Sequence, residues 1–433
     1  MEKKIVQPLK SFEKSTLLLP SSKSLTQRAF LCASLAKGSS IIKNPLPSED
    51  PLLLKEALEA TGVRFNHKET STLEIEGVGG KPELSKERVF LGNNGTGARF
   101  FLAYSALGKG EWIELYGKPR LHERPMEALI TSLRKIGAKI ICLEREYYFP
   151  LKVYESFLNS EKITLPGYIS SQFISALLLI GPYLPQGLEV VIEGVLFSQS
   201  YIEMTCQIMA KFGVEVEKTE EGYRVPSGEY KAISYEVPAD ASSASYFLAI
   251  PIVLGKGKIF IGNYDFQSKQ ADTVFLDFIQ EMGATVRVHY PIGIEVTFEG
   301  RAKAGSFNLK DCPDLFPTMA ILGAVSEGRT VLYGAPHLRY KETDRIKAVA
   351  TELTKLGVKV EELPDGLVIY GQDTFQPASI NTYDDHRIAM AFSILALKAG
   401  PLQIENPLCV SKSFPNFWEL FEKLYEENSF NRF

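Results

Sequence analysis

Two carboxylates, Asp314 and Glu342, and seven cations, Lys23, Arg28, Arg124, Lys341, Arg345, Arg387 and Lys412, are the side chains through which this 433-residue sequence could do chemistry. The densest place is Arg339-Tyr340-Lys341-Glu342-Thr343-Asp344-Arg345, with five charged side chains in seven residues. Apolar residues follow at 346, 349, 350 and 353, a helical spacing, so the charges fall on a loop and the first turn of a helix. Thr343 or Asp344 is placed to cap that helix, which leaves Lys341, Glu342 and Arg345 to point at something in front of it. A solvated, salt-bridged helix start would account for such a run taken alone. Asp50 is a third carboxylate close to a cationic cluster. A carboxylate among cations stays ionised unless it is buried, so an acid role needs close contact with the reacting atom.

The elements that must position these groups come in copies. An aliphatic-Gly-aliphatic step after a helical pattern recurs around Gly62, Gly137, Gly213, Gly283 and Gly357, about one copy every 75 residues. Glycine just past a helix end takes the left-handed cap conformation, and the alternation after it reads as a strand. Each period also holds an earlier helix, a turn and a short strand, as in Arg28–Gly38 followed by Ser40-Ile41-Ile42. The units read as βαβαββ. A sixth begins at Ile388 but lacks its last strands, which the segment Ile5–Leu18 is expected to supply. The expected fold is α/β with two similar domains of three repeats each, 20–238 and 1–19 with 239–433.

A polar cluster precedes the first helix of each copy: Ser22-Lys23-Ser24, Asn93-Asn94-Gly95, Ser170-Ser171-Gln172, Asp240-Ala241-Ser242, Pro313-Asp314 and Asp385-His386-Arg387. Second helices carry Glu123-Arg124-Pro125, Ser198…Tyr201, Lys341–Arg345 and Lys412-Ser413. Singly, each is an ordinary cap. Together they put cations at corresponding ends of repeated units in a chain of net charge −4, where unpaired helix N–H groups also favour phosphate and carboxylate. An inter-domain cleft that binds small polyanions is the expected active site.

Composition excludes other classes. The acidic balance argues against nucleic acid or a membrane surface as partner. The five cysteines are far apart and lack CxxC spacing, and the five histidines form no ligand pattern, so no disulfide framework, metal or cofactor is expected. Gly95-Thr96-Gly97 is not followed by Gly-Lys-Ser/Thr, so it is no P-loop. The start Met1-Glu2-Lys3-Lys4 lacks an apolar or Arg/Ser-rich leader, and with no long apolar run a cytoplasmic, bacterial-type monomer is expected.

Eight ordered motifs resemble the 3-phosphoshikimate 1-carboxyvinyltransferase (EPSP synthase) family over nearly the whole chain: Leu19–Ser24, Leu91–Thr96, Glu123-Arg124-Pro125, Ser170-Ser171-Gln172, Pro313-Asp314, Lys341–Arg345, Asp385–Met390 and Lys412–Pro415. The resemblance implies transfer of the enolpyruvyl group of phosphoenolpyruvate to the 5-hydroxyl of shikimate 3-phosphate, in aromatic amino-acid biosynthesis. It further implies that Lys23, Asn93, Gly95, Arg124, Gln172, Arg345, His386, Arg387 and Lys412 hold phosphoenolpyruvate. Lys23, Ser24, Arg28, Ser170, Ser171, Gln172, Ser198, Tyr201, Asp314, His337 and Lys341 would hold shikimate 3-phosphate. Asp314 would take the hydroxyl proton, and Glu342, aided by Lys23, would protonate the methylene carbon. Such a reaction needs cations for two phosphates and a carboxylate, with an acid and a base on opposite sides.

The chain departs from the family pattern at Asn94, Phe100, Gln199 and His337. Gly95 points to glyphosate sensitivity, whereas Asn94 and Phe100 are expected to narrow the pocket. The sister enzyme acting on UDP-N-acetylglucosamine carries a cysteine before its Arg-Pro, and Leu121–Pro125 has none. A non-catalytic anion-binding repeat protein would not need both Asp314 and Glu342.

Overall fold

The computed structural model describes residues 2–9, 12–266 and 268–429, and the chain divides into two compact units, Ser21–Val237 and Met1–Pro20 with Pro238–Phe433.

In the unit Ser21–Val237 three helices, Lys23–Leu35, Gly95–Ser105 and Ser171–Ile180, are buried along most of their length. Sequences such as Phe173-Ile174-Ser175-Ala176-Leu177-Leu178-Leu179-Ile180 have no polar face, and a helix apolar all round has to be enclosed. Outer helices Glu49–Glu59, Glu127–Lys135 and Gln199–Lys211 each bury one face. Three four-stranded sheets share one plan: a parallel first pair, then two antiparallel strands. The sheet of Glu87–Phe90, Trp112–Tyr116, Leu151–Tyr154 and Lys139–Cys142 shows it from one continuous stretch. The discontinuous unit repeats this plan around Ala241–Leu248 with Ile250–Leu254, Phe316–Val325 and His386–Ala399. Pro251 opens the second half of the broken helix, where a missing N–H is tolerated.

All five repeat glycines are left-handed, with φ of 93°, 110°, 89°, 105° and 80° at Gly62, Gly137, Gly213, Gly283 and Gly357. The N-terminal segment behaves differently from the expectation. Its strand Lys3–Val6 does extend the sixth sheet, antiparallel to Leu402–Glu405, but that sheet stops at three strands. The strand Lys14–Leu17 instead pairs in parallel with Lys256–Ile261 and opens the fourth sheet. Residues 10 and 11, between them, lie outside the described residues. By the same device Ser234–Glu236 pairs with the strand Lys37–Lys43 and opens the first sheet. The cause is the repeat's order: a copy whose helix comes first needs a leading strand from elsewhere.

Candidate functional site

Within the unit Ser21–Val237 the N-terminal ends of the three buried helices meet. Asn94, fully buried, caps Gly95–Ser105 through Gly97 N–H at 2.8 Å and donates to Gln27 Oε1 at 2.8 Å and to the Asp50 carbonyl at 2.7 Å. Gln172 donates to Thr96 Oγ1 at 2.9 Å, joining the second helix to the third, which Ser170 caps with Ser171 as its first residue. Three positive helix ends therefore gather in one place. Lys23 lies on the first of them, with Nζ 3.0 Å from Asp50 Oδ2. Arg124 is buried, with Nη1 3.5 Å from the Asn93 carbonyl, and its guanidinium lies over Gly95.

Asn94 and Phe100 are both fully buried, Asn94 as the cap that ties the first two helices and Phe100 beneath the Arg28 guanidinium at 5.2 Å. Arg28 itself is 1% exposed and joins two helices, donating to Thr205 Oγ1 at 2.8 Å, the Ser24 carbonyl at 2.9 Å and the Tyr201 carbonyl at 3.1 Å. Burial lowers its pKa to about 10, so it stays charged at neutral pH. Ser198, buried, stands in the left-handed conformation at φ 57° just before helix Gln199–Lys211.

In the discontinuous unit the predicted residues form one charged cluster. Asp344 caps the helix Arg345–Lys355, and Arg345 points at a set of carboxylates. It is fully buried and shared by three carboxylates: Nη1 is 3.1 Å from Asp314, Nη2 is 2.7 Å from Glu342 and Nε is 2.9 Å from Asp385. Glu342 precedes it by three residues, but Asp314 and Asp385 come from two other segments, so a buried charge is paired where local sequence suggested solvent. Arg387 meets the other Asp314 oxygen at 2.5 Å and the Tyr246 hydroxyl at 3.3 Å. Lys412 Nζ lies 3.7 Å from Glu342. Asp385 caps His386–Ala399 through the Arg387 N–H, and His386 is enclosed beside it, with Nδ1 3.8 Å from Asp385. His337 is buried in the turn Pro336–Tyr340, and Lys341, half-buried, follows it.

The electrostatics follow from this crowding. Burial alone would raise the Asp314 carboxyl, but Arg387, Arg345 and Lys341 outweigh it and hold it well below the usual carboxylate range. Burial, assisted by the Lys341 charge, pushes the His337 imidazole down to about 3, so it is neutral. Sequence reasoning missed Asp272. It is 1% exposed, accepts a hydrogen bond from Ser242 Oγ, and is pushed up to about 7, first by burial and then by the Asp314 charge. Asp385 was visible in its motif as a cap, but its bond to Arg345 spans 40 residues and had no local signal.

Among the described residues no helix is long and apolar enough to cross a membrane, and no group of three His, Cys, Asp or Glu side chains is placed to hold a metal ion.

Six repeated α/β units, with cations, carboxylates and helix N-termini gathered within each triplet, define the class as an anion-handling enzyme. The chain belongs to the EPSP synthase (3-phosphoshikimate 1-carboxyvinyltransferase) family, whose sequence model matches residues 10–421. It is 38% identical over 432 residues to a 3-phosphoshikimate 1-carboxyvinyltransferase of Vibrio vulnificus, covering 98% of this chain and 100% of that one. It is 39% identical to one of Methanothermobacter thermautotrophicus, covering 93% and 94% of the two chains. A solved EPSP synthase of Acinetobacter baumannii superposes with a TM-score of 0.80 at 25% identity, covering 98% of both chains.

Proposed function

We propose that this chain transfers the enolpyruvyl group of phosphoenolpyruvate to the 5-hydroxyl of shikimate 3-phosphate and releases phosphate. The hydroxyl oxygen bonds to C2 of phosphoenolpyruvate as its proton passes to Asp314. A proton from Glu342, with Lys23 assisting, adds to C3 and gives a tetrahedral ketal phosphate. Return of a proton from the new methyl group to Glu342, with cleavage of the C2–O bond to phosphate and passage of the Asp314 proton to the departing phosphate, restores the double bond and both carboxyl groups.

The observation that carries this reading is the pair of carboxylates on one guanidinium, Asp314 at 3.1 Å and Glu342 at 2.7 Å from Arg345. The arrangement supplies more than charge. Without substrate, Arg345 and Arg387 keep Asp314 ionised and weakly basic. Phosphate and carboxylate groups drawing on those guanidiniums would relax that hold, so binding raises the basicity of the acceptor where it is needed. Lys23, Arg124, Gln172 and the helix end at Gly95 are read as holding phosphoenolpyruvate, and Ser24, Arg28, Ser170, Ser171, Ser198, Tyr201, His337 and Lys341 as holding shikimate 3-phosphate. Action as a cytoplasmic monomer fits a biosynthetic step between phosphorylated small molecules.

The test is phosphate release by the EDTA-treated protein with phosphoenolpyruvate plus shikimate 3-phosphate, run beside phosphoenolpyruvate plus UDP-N-acetylglucosamine. Release with the first pair alone is expected. Release with the second alone would transfer the chain to the sister activity, and release with neither would remove the reading.

A further inference from the structure

The turn before Asp385 is strained and clamped from behind. Tyr383 and Asp384 are consecutive non-glycine residues in the left-handed region, at φ 54° and 55°, a conformation that such side chains persist in only when their surroundings impose it. What imposes it is Glu352, fully buried in the helix that begins with Arg345. Its Oε2 accepts the Asn381 N–H at 3.1 Å, its Oε1 accepts the Tyr383 hydroxyl at 2.7 Å, and Lys355 Nζ bonds both oxygens at 2.9 and 2.7 Å. The far side of the turn is held by Asn406, whose amide donates to Asp384 Oδ1 at 3.0 Å.

Glu352 stands seven residues after Arg345, two helical turns on and nearly on the same face. One helix therefore grips one loop twice, Glu352 at residues 381–383 and Arg345 at Asp385. Asp385 is the piece between: Oδ2 receives Arg345 Nε at 2.9 Å and Oδ1 receives the Arg387 N–H at 2.9 Å. Any relaxation of Tyr383 and Asp384 toward ordinary backbone angles would move Asp385, and with it the Arg345 guanidinium and the backbone from which Arg387 projects.

We infer that Glu352 is a positioning residue for the reaction: by clamping the left-handed turn at Tyr383–Asp384 it sets Asp385, and through Asp385 the two arginines that bind phosphoenolpyruvate. This rests on the proposed roles of Arg345 and Arg387. Burial and the Glu352 carboxylate both push the Tyr383 phenol upward, so it remains a donor throughout the working range of pH.

The experiment compares Glu352→Gln and Tyr383→Phe with the wild-type chain, reading the KM of each substrate and amide hydrogen exchange over residues 381–388. Both variants are expected to raise the KM for phosphoenolpyruvate roughly ten-fold, the scale of small misplacements of binding groups, with the KM for shikimate 3-phosphate unchanged and exchange accelerated. Adding Asp384→Gly, which removes the backbone penalty that the clamp offsets, should bring the phosphoenolpyruvate KM of Glu352→Gln back toward wild type. A lowered melting temperature with both KM values within two-fold of wild type, or equal rises in both, would overturn the inference. Should Glu352→Gln not fold, Tyr383→Phe decides by the same criteria. If the wild-type chain itself released no phosphate, the proposed reaction would have failed, and unchanged exchange over 381–388 would then remove the clamp as well.

Discussion

Gly95 lies directly beneath the Arg124 guanidinium. A methyl group on its α-carbon would stand 2.6 Å from Cζ and overlap both terminal nitrogens. Arg124 is 3% exposed, so its displaced end has little room to go. Gly95→Ala is therefore expected to push Arg124 off its place and raise the KM for phosphoenolpyruvate about ten-fold, with a smaller fall in kcat. Steady-state kinetics with each substrate varied in turn checks it; an unchanged KM for phosphoenolpyruvate would detach Arg124 from that substrate.

Asp314→Ala and Glu342→Ala are each expected to lower kcat by about 10²-fold or more, the usual scale for a positioned acid or base. Both side chains retain some solvent access, 16% and 11%, so the chain should stay folded by circular dichroism. Near-wild-type turnover in both variants would remove the assigned roles.

Asp385 is different, because it is fully buried and its loss leaves Arg345 with one partner fewer and the helix His386–Ala399 without its cap. Asp385→Ala should destabilise the discontinuous unit by about 3–5 kcal/mol, as breaking a buried pair does. Denaturant unfolding followed by tryptophan fluorescence measures this, since Trp418 is in that unit and Trp112 in the other.

Asp272 gives a pH dependence with a definite sign. Its pKa rises from the usual carboxylate range to about 7 on folding. The native state thus binds this proton more tightly than the unfolded chain, and stability is lost as pH rises toward about 7. Asp314 works the other way: its lowered pKa contributes stability above the ordinary carboxylate range, lost on acidification below it. Asp272→Asn cannot ionise, so its melting temperature relative to wild type should climb between pH 5 and pH 8. Calorimetry across that range checks it; a flat difference would mean Asp272 is ionised throughout.

What could be read in advance had a local cause. Ser22, Asn94, Ser170, Asp240, Asp344 and Asp385 all cap the helices they precede, because cap chemistry is decided within three residues. The glycine turns were legible for the same reason. What Arg345 meets in front of its helix was illegible because its partners Asp314 and Asp385 lie 31 and 40 residues away, and nothing local shows that they converge. The bonds by which Arg28 and Asn94 tie helices together were equally illegible, because Thr205 and Gln27 lie 177 and 67 residues from them. Four-residue strands such as Lys14–Leu17 carry too little pattern to reveal which sheet they join.

That strand's destination has a consequence for how the protein is made. Lys3–Val6 and Lys14–Leu17 leave the ribosome long before their partners, Leu402–Glu405 and Lys256–Ile261. The intervening unit Ser21–Val237 contains its own closing strand, Ser234–Glu236, and is complete once residue 237 has emerged. At translation rates of about 5–20 residues per second, the first strand waits roughly 20–80 s for its partner. Throughout that interval it is an unsatisfied edge, of the kind that recruits other chains. Two of the four residues in Lys3–Val6 and three of the four in Lys14–Leu17 are polar or charged, which lowers the attraction of these strands for one another during synthesis.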